Sequence, residues 1–364
     1  MDASTMRRAL AICAWHSMAL TPKWLDLLIG IGEETQLRDF WTQRATGVRL
    51  PAYEAAVDEG IRLEREYLSG GTTLVLPGDP GYPRSVMDAP RRPPVLAIRG
   101  NPELLRLPQV AIVGSRQTLD ASIPMTQLIA DEVIRRGFIV TSGGALGIDG
   151  IAHRQAMARR QPTIVVSACG CDTAQPSVHA DIFEYAAVHG AIVSRMPNHI
   201  AAIARNFPVR NEIIAALSRA TVIVQARRKS GALYTAQAAR RLGRPVFVAA
   251  LQGFNELTEG GFEWVKSGQA QILSQYDDFD VLGDPGTGLQ KSISFLCPGD
   301  PPCSQSETSQ NDTARRILAA LKDSPTTREL LRLHLASPAD FDETMLELEL
   351  AGKIATHGGM FHAM

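Results

Sequence analysis

Four short stretches place glycine, serine or a cation where an apolar run gives way to a helical one. They are VGSRQTLD (113–120), SGGALGID (142–149), NFPVRNEIIAALSRA (206–220) and RRKSGALYTAQAARRLGR (227–244). Glycine allows positive φ and close backbone approach, and a helix N-terminus offers unpaired N–H groups and the positive end of its dipole. Turns of this kind hold phosphate. In the first, Ser115 and Arg116 directly follow an apolar strand; in the second, Ser142 leads into Gly143, Gly144 and Gly147. In the third, Arg210 and Asn211 are expected immediately before a helix, with Asn211 as its N-cap. In the fourth, Lys229, Ser230 and Gly231 open another helix. Phe207, just ahead of the basic turn, is either a stacking face for a nucleobase or a core side chain.

The chemistry these turns support is binding. None has the Gly-Lys-Ser/Thr ending of a Walker A loop, none is a true GxGxxG, and no acid is placed to meet a ribose. Residues 195–244 carry ten Lys/Arg (Arg195, Arg205, Arg210, Arg219, Arg227, Arg228, Lys229, Arg240, Arg241, Arg244) against one acid, Glu212. That local bias is the footprint of a phosphate backbone in an otherwise neutral chain. Asp149 and His153 stand four apart, the spacing of an acid–base pair, yet the expectation is that Asp149 caps its helix and His153 packs on the sheet. Ser167 precedes no nucleophile elbow and Ser230 has no histidine partner. No acid cluster suited to magnesium sits at the strand ends. Five cysteines without a CxxC spacing give neither a zinc set nor a disulfide framework, and reduced thiols are expected. No catalytic residue, metal or cofactor is assigned.

The elements that must position these turns show in the apolar pattern. Short β-branched runs, VAIVG (110–114), FIVTS (138–142), TIVVSA (163–168), AIVS (191–194), ATVIVQA (220–226) and PVFVAA (245–250), alternate with amphipathic helical stretches. This predicts an α/β fold with a mostly parallel, doubly wound sheet, whose ligands sit beyond the carboxyl ends of its strands. At 364 residues, 45% hydrophobic and 21% charged, several domains of an ordinary globular protein are expected. We read 1–72 as a helical domain, 73–280 as the sheet-bearing core, 281–313 as a Gly/Pro/Ser-rich linker and 314–364 as a winged helix. The winged helix would comprise three helices, the third opened by Ser337 and Pro338, and a β-ribbon turning at Gly-Gly. The Pro-dense stretch 74–101 reads as an extended connector packed on the core. LLIGIGEETQLRDF (27–40) has the outline of a helix-hairpin-helix but reads better as a plain helix–helix turn. The N-terminal apolar run is interrupted by His16 and Ser17 and reads as a helix, not a signal peptide. No apolar stretch is long enough for a membrane span.

VAIVGSR, SGGALGIDGIAH, the Gly and Asp of ACGCD, NFPVRNEIIAALS and KSGALYTAQAARRLGRPVF together resemble the DNA-processing protein A (DprA/Smf) family, and GDPGYPRSVMDAPRRPPVLAIRGN is similar to the segment that precedes its core. The resemblance covers nearly the whole chain. It implies an extended Rossmann-like core between a helical SAM-like or helix-hairpin-helix-like domain and a winged helix. It further implies a cytoplasmic, non-enzymatic protein that binds single-stranded DNA taken up in natural transformation, protects it from nucleases, loads the RecA recombinase on it, and dimerises through the Rossmann-like core. By that resemblance the DNA pocket comprises Ser115, Arg116, Ser142, Gly143, Gly144, Arg210, Asn211, Lys229, Ser230 and Gly231.

The chain departs from the family pattern at four places. Leu146 replaces the arginine of the SGxARGID loop, Glu212 makes RNR into RNE, and SRMP and VQA replace SEYP and VEA, giving Arg195 and Gln225. A weaker or rearranged DNA-binding face is the expectation. The C-terminal stretch 314–364 has six Lys/Arg and seven Asp/Glu, and PADFDETMLELEL holds five acids and no base. A duplex would be repelled there, which points to a protein contact. Two other readings remain open: a nucleotide-binding sensor on the same loops, and a nucleotide hydrolase resembling the LOG phosphoribohydrolases, whose PGGxGT loop and nearby glutamate are missing.

Overall fold

The computed structural model describes residues 1–45, 48–251, 255–274, 276–282, 345, 348, 354–357 and 360–363. The chain divides into two compact units, Met1–Pro298 and Gly299–Met364.

The first unit opens with helices α1 (Ala3–His16), α2 (Pro22–Ile29), α3 (Glu34–Ala45) and α4 (Tyr53–Ser69). Asp2 caps α1 by accepting from the Thr5 N–H at 2.8 Å, and Leu10, Ile12 and Trp15 bury its apolar face. The glycines of 27–40 form the turn between α2 and α3, and Arg38 pairs with Glu34 and Glu54. The core follows as β1 (Thr72–Val75), α5 (Arg84–Met87), β2 (Leu96–Gly100), β3 (Gln109–Val113), α6 (Ser122–Arg135), β4 (Ile139–Ser142), α7 (Ile148–Ala158), β5 (Thr163–Val166), α8 (Ala180–His189), β6 (Ala191–Ser194), α9 (Asn206–Leu217), β7 (Ala220–Ile223), α10 (Gly231–Arg241), β8 (Val246–Ala249), α11 (Glu259–Lys266) and β9 (Gln271–Leu273).

These strands build one nine-stranded sheet in the order β1-β2-β6-β5-β4-β3-β7-β8-β9. From β6 to β9 it is parallel, with Val110 opposite Val140 on one side and Ala220 on the other. Every strand predicted from the apolar runs is present. Their side chains alternate between two buried layers: Val110, Ile112 and Val140 meet α6 and α7, while Ala111, Val113 and Ile139 meet α9 and α10. Order reverses between β3 and β7. β4, β5 and β6 lie to one side of β3, and β7 and β8 to the other, so the crevice at this switch point opens beyond the ends of β3 and β7.

The Pro-dense stretch is more than a connector. Its two ends are strands, β1 and β2, which pair antiparallel with each other and add to β6 with Ala97 opposite Ser194. The prolines crowd between them, where no ladder N–H is needed, and LAIRG itself carries none. The segment is fastened to the N-terminal helices by Arg8, which donates to Glu64 at 2.6 Å, Asp79 at 2.5 Å and the Leu74 carbonyl at 2.7 Å.

In the second unit, β10 (Ile354–His357) and β11 (Met360–Ala363) form the expected ribbon, with His357 opposite Met360 and the two glycines between them. Met345 and Leu348 are helical and buried. The three winged-helix helices as drawn from sequence, with their opening at Ser337 and Pro338, otherwise lie outside the described residues, as does most of the linker. Cys13, Cys169 and Cys171 are buried free thiols, while Cys297 and Cys303 fall outside the described residues. No helix among the described residues is long and apolar enough to cross a membrane.

Candidate nucleic-acid interface

The three glycine-bearing turns and the start of α9 converge on the switch point. A crevice of about 460 Å³ is lined by Ser115 and Arg116 after β3, Ala145 and Asp149 of the second loop, Phe207, Arg210 and Asn211 of α9, and Arg227, Lys229, Ser230 and Gly231 after β7. A smaller recess beside it shares Arg116, Ala145, Phe207 and Arg210 and is walled by Gly143, Leu146, Pro176 and Ala202.

The second loop is shaped by its glycines. Gly147 has φ +77°, and a Cβ there would stand 2.3 Å from the Ser115 carbonyl oxygen. Gly143 leaves room for Arg210: a Cβ would stand 2.2 Å from its Nη1. Gly144, also at positive φ, packs on Val165 and Phe183. Ser142 is fully buried and its hydroxyl donates to the Ile112 carbonyl at 2.6 Å, which turns it away from the crevice. The N-cap of α7 is Gly147, not Asp149 as expected. Asp149 sits in the first turn and accepts from the Gly143 N–H at 3.2 Å, so it closes the loop instead of capping the helix. Burial pushes its carboxyl above the ordinary value, against the pull of the neighbouring Arg210. His153 does pack against the sheet. Its Nδ1 lies 2.7 Å from the Thr163 hydroxyl, whose proton goes to the Val140 carbonyl. Nδ1 therefore carries the ring's proton, and burial takes the imidazole down to about 3.

Arg210 and Asn211 lie inside α9, in its second turn, and not ahead of it. Pro208 misleads the sequence reading: it occupies the first turn of α9, where a missing N–H costs nothing. The consequence is large. Arg210 is 5% exposed, and its Nη1 donates to the carbonyls of Gly143 at 2.5 Å and Val166 at 2.7 Å, while Nε donates to the Asn211 side chain at 2.9 Å. One guanidinium thus ties α9 to the ends of β4 and β5. Burial lowers its pKa, with Asp149 opposing. Asn211 Nδ2 reaches on to the Gly231 carbonyl at 3.1 Å, linking α9 to the fourth turn. Ser230 caps α10 by accepting from the Ala232 N–H.

Phe207 is half-buried, with the guanidinium carbons of Arg116 and Arg210 at 5.1 and 5.6 Å from its ring centroid. It holds two cations at the crevice wall. Of the ten cations between 195 and 244, Arg210, Arg227 and Lys229 line the crevice. Arg228 pairs with Glu259 and Glu263, and Arg244 donates to the carbonyls of Ala215, Ser218 and Ser85. Arg116 and Lys229 are exposed and in no ion pair among the described residues.

Two contributors, Gln225 and Arg227, were noted in the sequence but not assigned to the site. Gln225 is fully buried at the end of β7, where its Oε1 accepts from Leu119 N–H at 3.0 Å and Ser122 Oγ at 2.6 Å, and its Nε2 donates to the Gln117 carbonyl at 2.9 Å. Its own carbonyl accepts from Ser115 N–H at 2.8 Å, so this one residue sets the course of the first turn. An amide in an otherwise apolar strand end was the available signal. Arg227 lines the crevice and reaches Gln117 Oε1 at 3.0 Å.

Glu212 corrects the expectation of a depleted binding face. It is 6% exposed, lies outside the crevice lining, and is gripped by Arg91 through both carboxylate oxygens. Arg195 lies within electrostatic reach of the same pair. Arg195 and Glu212, two of the departures from the resemblance, thus lie with opposite charges at one locus. Leu146, by contrast, is 44% exposed on the rim of the recess.

The family model for DNA recombination-mediator protein A matches residues 73–281, and that for the DprA winged helix domain matches 301–360. Protein Smf of Synechocystis sp. is 31% identical over 321 residues, 81% of each chain. The chain belongs to the DprA/Smf family. Escherichia coli Smf is 32% identical over 283 residues, 76% of this chain and 74% of its own. The DprA from Streptococcus pneumoniae has the same fold, with a TM-score of 0.61 at 23% identity over 76% of this chain and 95% of that one. DprA from Helicobacter pylori, whose structure concerns a single-stranded DNA binding mode, aligns with a TM-score of 0.52 at 31% identity, over 57% of this chain and 93% of that one.

Proposed function

We propose that this protein binds single-stranded DNA without cleaving it, with backbone phosphates held in the crevice by Arg116, Lys229 and the Gly231 amide at the start of α10. The observation that carries this reading is the convergence of four separate segments, three glycine-bearing turns and the start of α9, on one crevice whose exposed cations Arg116 and Lys229 have no acidic partner among the described residues. Phosphate binding needs that combination of free cations and accessible N–H groups. The acid lining the crevice, Asp149, is buried and held by Gly143, which supports a binding site over a hydrolytic one. Arg210 acts from behind, as the buried cation that positions the loop, and Ser142 serves the same framework. The single-stranded DNA described for the H. pylori relative supports the choice of ligand. In this reading the protein works as a cytoplasmic homodimer, joined through its Rossmann-like core, that hands DNA acquired in transformation to RecA, and the acidic C-terminal unit contacts protein. The three segments 1–72, 73–280 and 314–364 would be its domains.

Fluorescence anisotropy with labelled oligo-dT over a salt series tests the reading. Arg116→Ala with Lys229→Ala should weaken binding and flatten the salt slope by about two, with stability unchanged. Arg210 is unsuitable for this test because its loss would open the framework. Wild-type protein that ignores oligo-dT at low salt but binds mononucleotides would favour the sensor reading, for which the crevice volume is adequate.

A further inference from the structure

We infer that the single strand does not end at the crevice but continues along the outer face of α10, where Tyr234 stacks on a base and Arg241 meets a phosphate. This inference rests on the proposed crevice and extends it. Gly231 and Lys229, at the start of α10, line the crevice, and Ala232 and Thr235 face into it or the core. The opposite face of the helix is unlike a usual solvated surface. Tyr234 is 56% exposed one turn beyond Gly231, and Gln237 and Arg241 are exposed beyond it. Tyr234 and Arg241 are seven residues apart, two turns, and therefore share a face. GALYTAQAARR contains no acid, and neither Lys229 nor Arg241 forms an ion pair among the described residues. An exposed aromatic ring between two free cations is the arrangement that binds single strands without regard to sequence: bases stack on the ring and phosphates follow the charge. The stripe runs about 15 Å from Gly231 to Arg241 at 1.5 Å per residue. It is continuous with the phosphate crevice, so a strand leaving the crevice past Lys229 meets Tyr234 next.

The test compares oligo-dT of about six nucleotides, enough for the crevice, with about fifteen, within the span such surfaces take. The full-length chain would be used, with anisotropy as the readout. Tyr234→Ala should lose about tenfold in affinity for the longer oligomer and nothing for the shorter, and Tyr234→Phe should bind both normally. Arg241→Gln should flatten the salt slope by about one for the longer oligomer alone. Tyr234→Ala that binds both lengths as the wild type does would overturn the inference while leaving the crevice intact. A change in oligomeric state of Tyr234→Ala by light scattering would overturn it too, marking the stripe as a contact between copies. Wild-type protein that binds neither length would remove the crevice reading, and this inference with it.

Discussion

Arg91 and Glu212 are joined by three hydrogen bonds, Nε at 3.0 Å from each carboxylate oxygen and Nη2 at 2.6 Å from Oε1. The pair clips the Pro-dense segment between β1 and β2 onto α9, the helix that carries Arg210. Glu212→Arg would place a cation against Arg91 with little solvent to screen it. We expect a loss of about 2 kcal/mol, since Arg91 itself is half exposed, and no gain in oligo-dT affinity, because the position does not face the crevice. The exchange Arg91→Glu with Glu212→Arg should recover most of the stability. Urea midpoints of the three variants decide it, and a Glu212→Arg protein of wild-type stability would show that the clip carries no load.

Leu146 is the departure that lies on the rim of the recess beside the crevice. Leu146→Arg restores a cation to the rim and should raise affinity for oligo-dT and steepen the salt slope by about one. Because the side chain is exposed, stability should stay within about 0.5 kcal/mol of wild type. An unchanged salt slope would mean that the strand does not pass this rim.

Gly147 is required twice over, by its positive φ and by the Ser115 carbonyl against it. Gly147→Ala should destabilise the protein by about 1–3 kcal/mol and weaken oligo-dT binding more than the stability loss explains, since the first two turns would be driven apart. Binding per folded molecule, measured well below the unfolding transition, separates the two effects.

His153 makes stability depend on pH. Burial holds its imidazole at about 3, against an ordinary 6.5. Between these values the unfolded chain takes up a proton that the folded chain refuses. The contribution is complete above about 6.5 and falls as pH drops toward 3, by up to about 1.4 kcal/mol per unit. His153→Leu should flatten the fall relative to wild type in urea titrations at several pH values between 7 and 5. Parallel profiles for the two proteins would refute it.

How much of this was readable beforehand follows from the range of each interaction. The six central strands and the three glycine-bearing turns could be located because β-branched runs and glycine clusters are local signals. The winged-helix ribbon announced itself by its Gly-Gly turn in the same way. The roles of individual side chains were not legible. Arg210 looked like a ligand-facing cation until α9 extended back past Pro208 and its guanidinium met the Gly143 and Val166 carbonyls, which are 67 and 44 residues away. Glu212 looked like a charge lost from the DNA face until Arg91, 121 residues earlier, closed on it. Such partners are brought together by the sheet order, which no window of sequence contains. β1 and β2 were hidden for a related reason: short strands joined by a proline-dense stretch look locally like loop.

The packing of the N-terminal helices bears on how the protein could be dissected. Leu10, Trp15 and Tyr67 share one apolar cluster with Val95, Ala97 and Val165 of the sheet. Trp15 Nε1 donates to the Arg195 carbonyl at 2.8 Å, and the Tyr67 hydroxyl accepts from the Asn198 N–H at 2.8 Å. The stretch thus anchored runs directly into α9. Cutting the chain near residue 72 would not release a self-sufficient core; it would bare an oily sheet face and untether the approach to Arg210. The helical segment behaves as a keel, and a fragment built without it would gain solubility problems before it lost any contact with DNA.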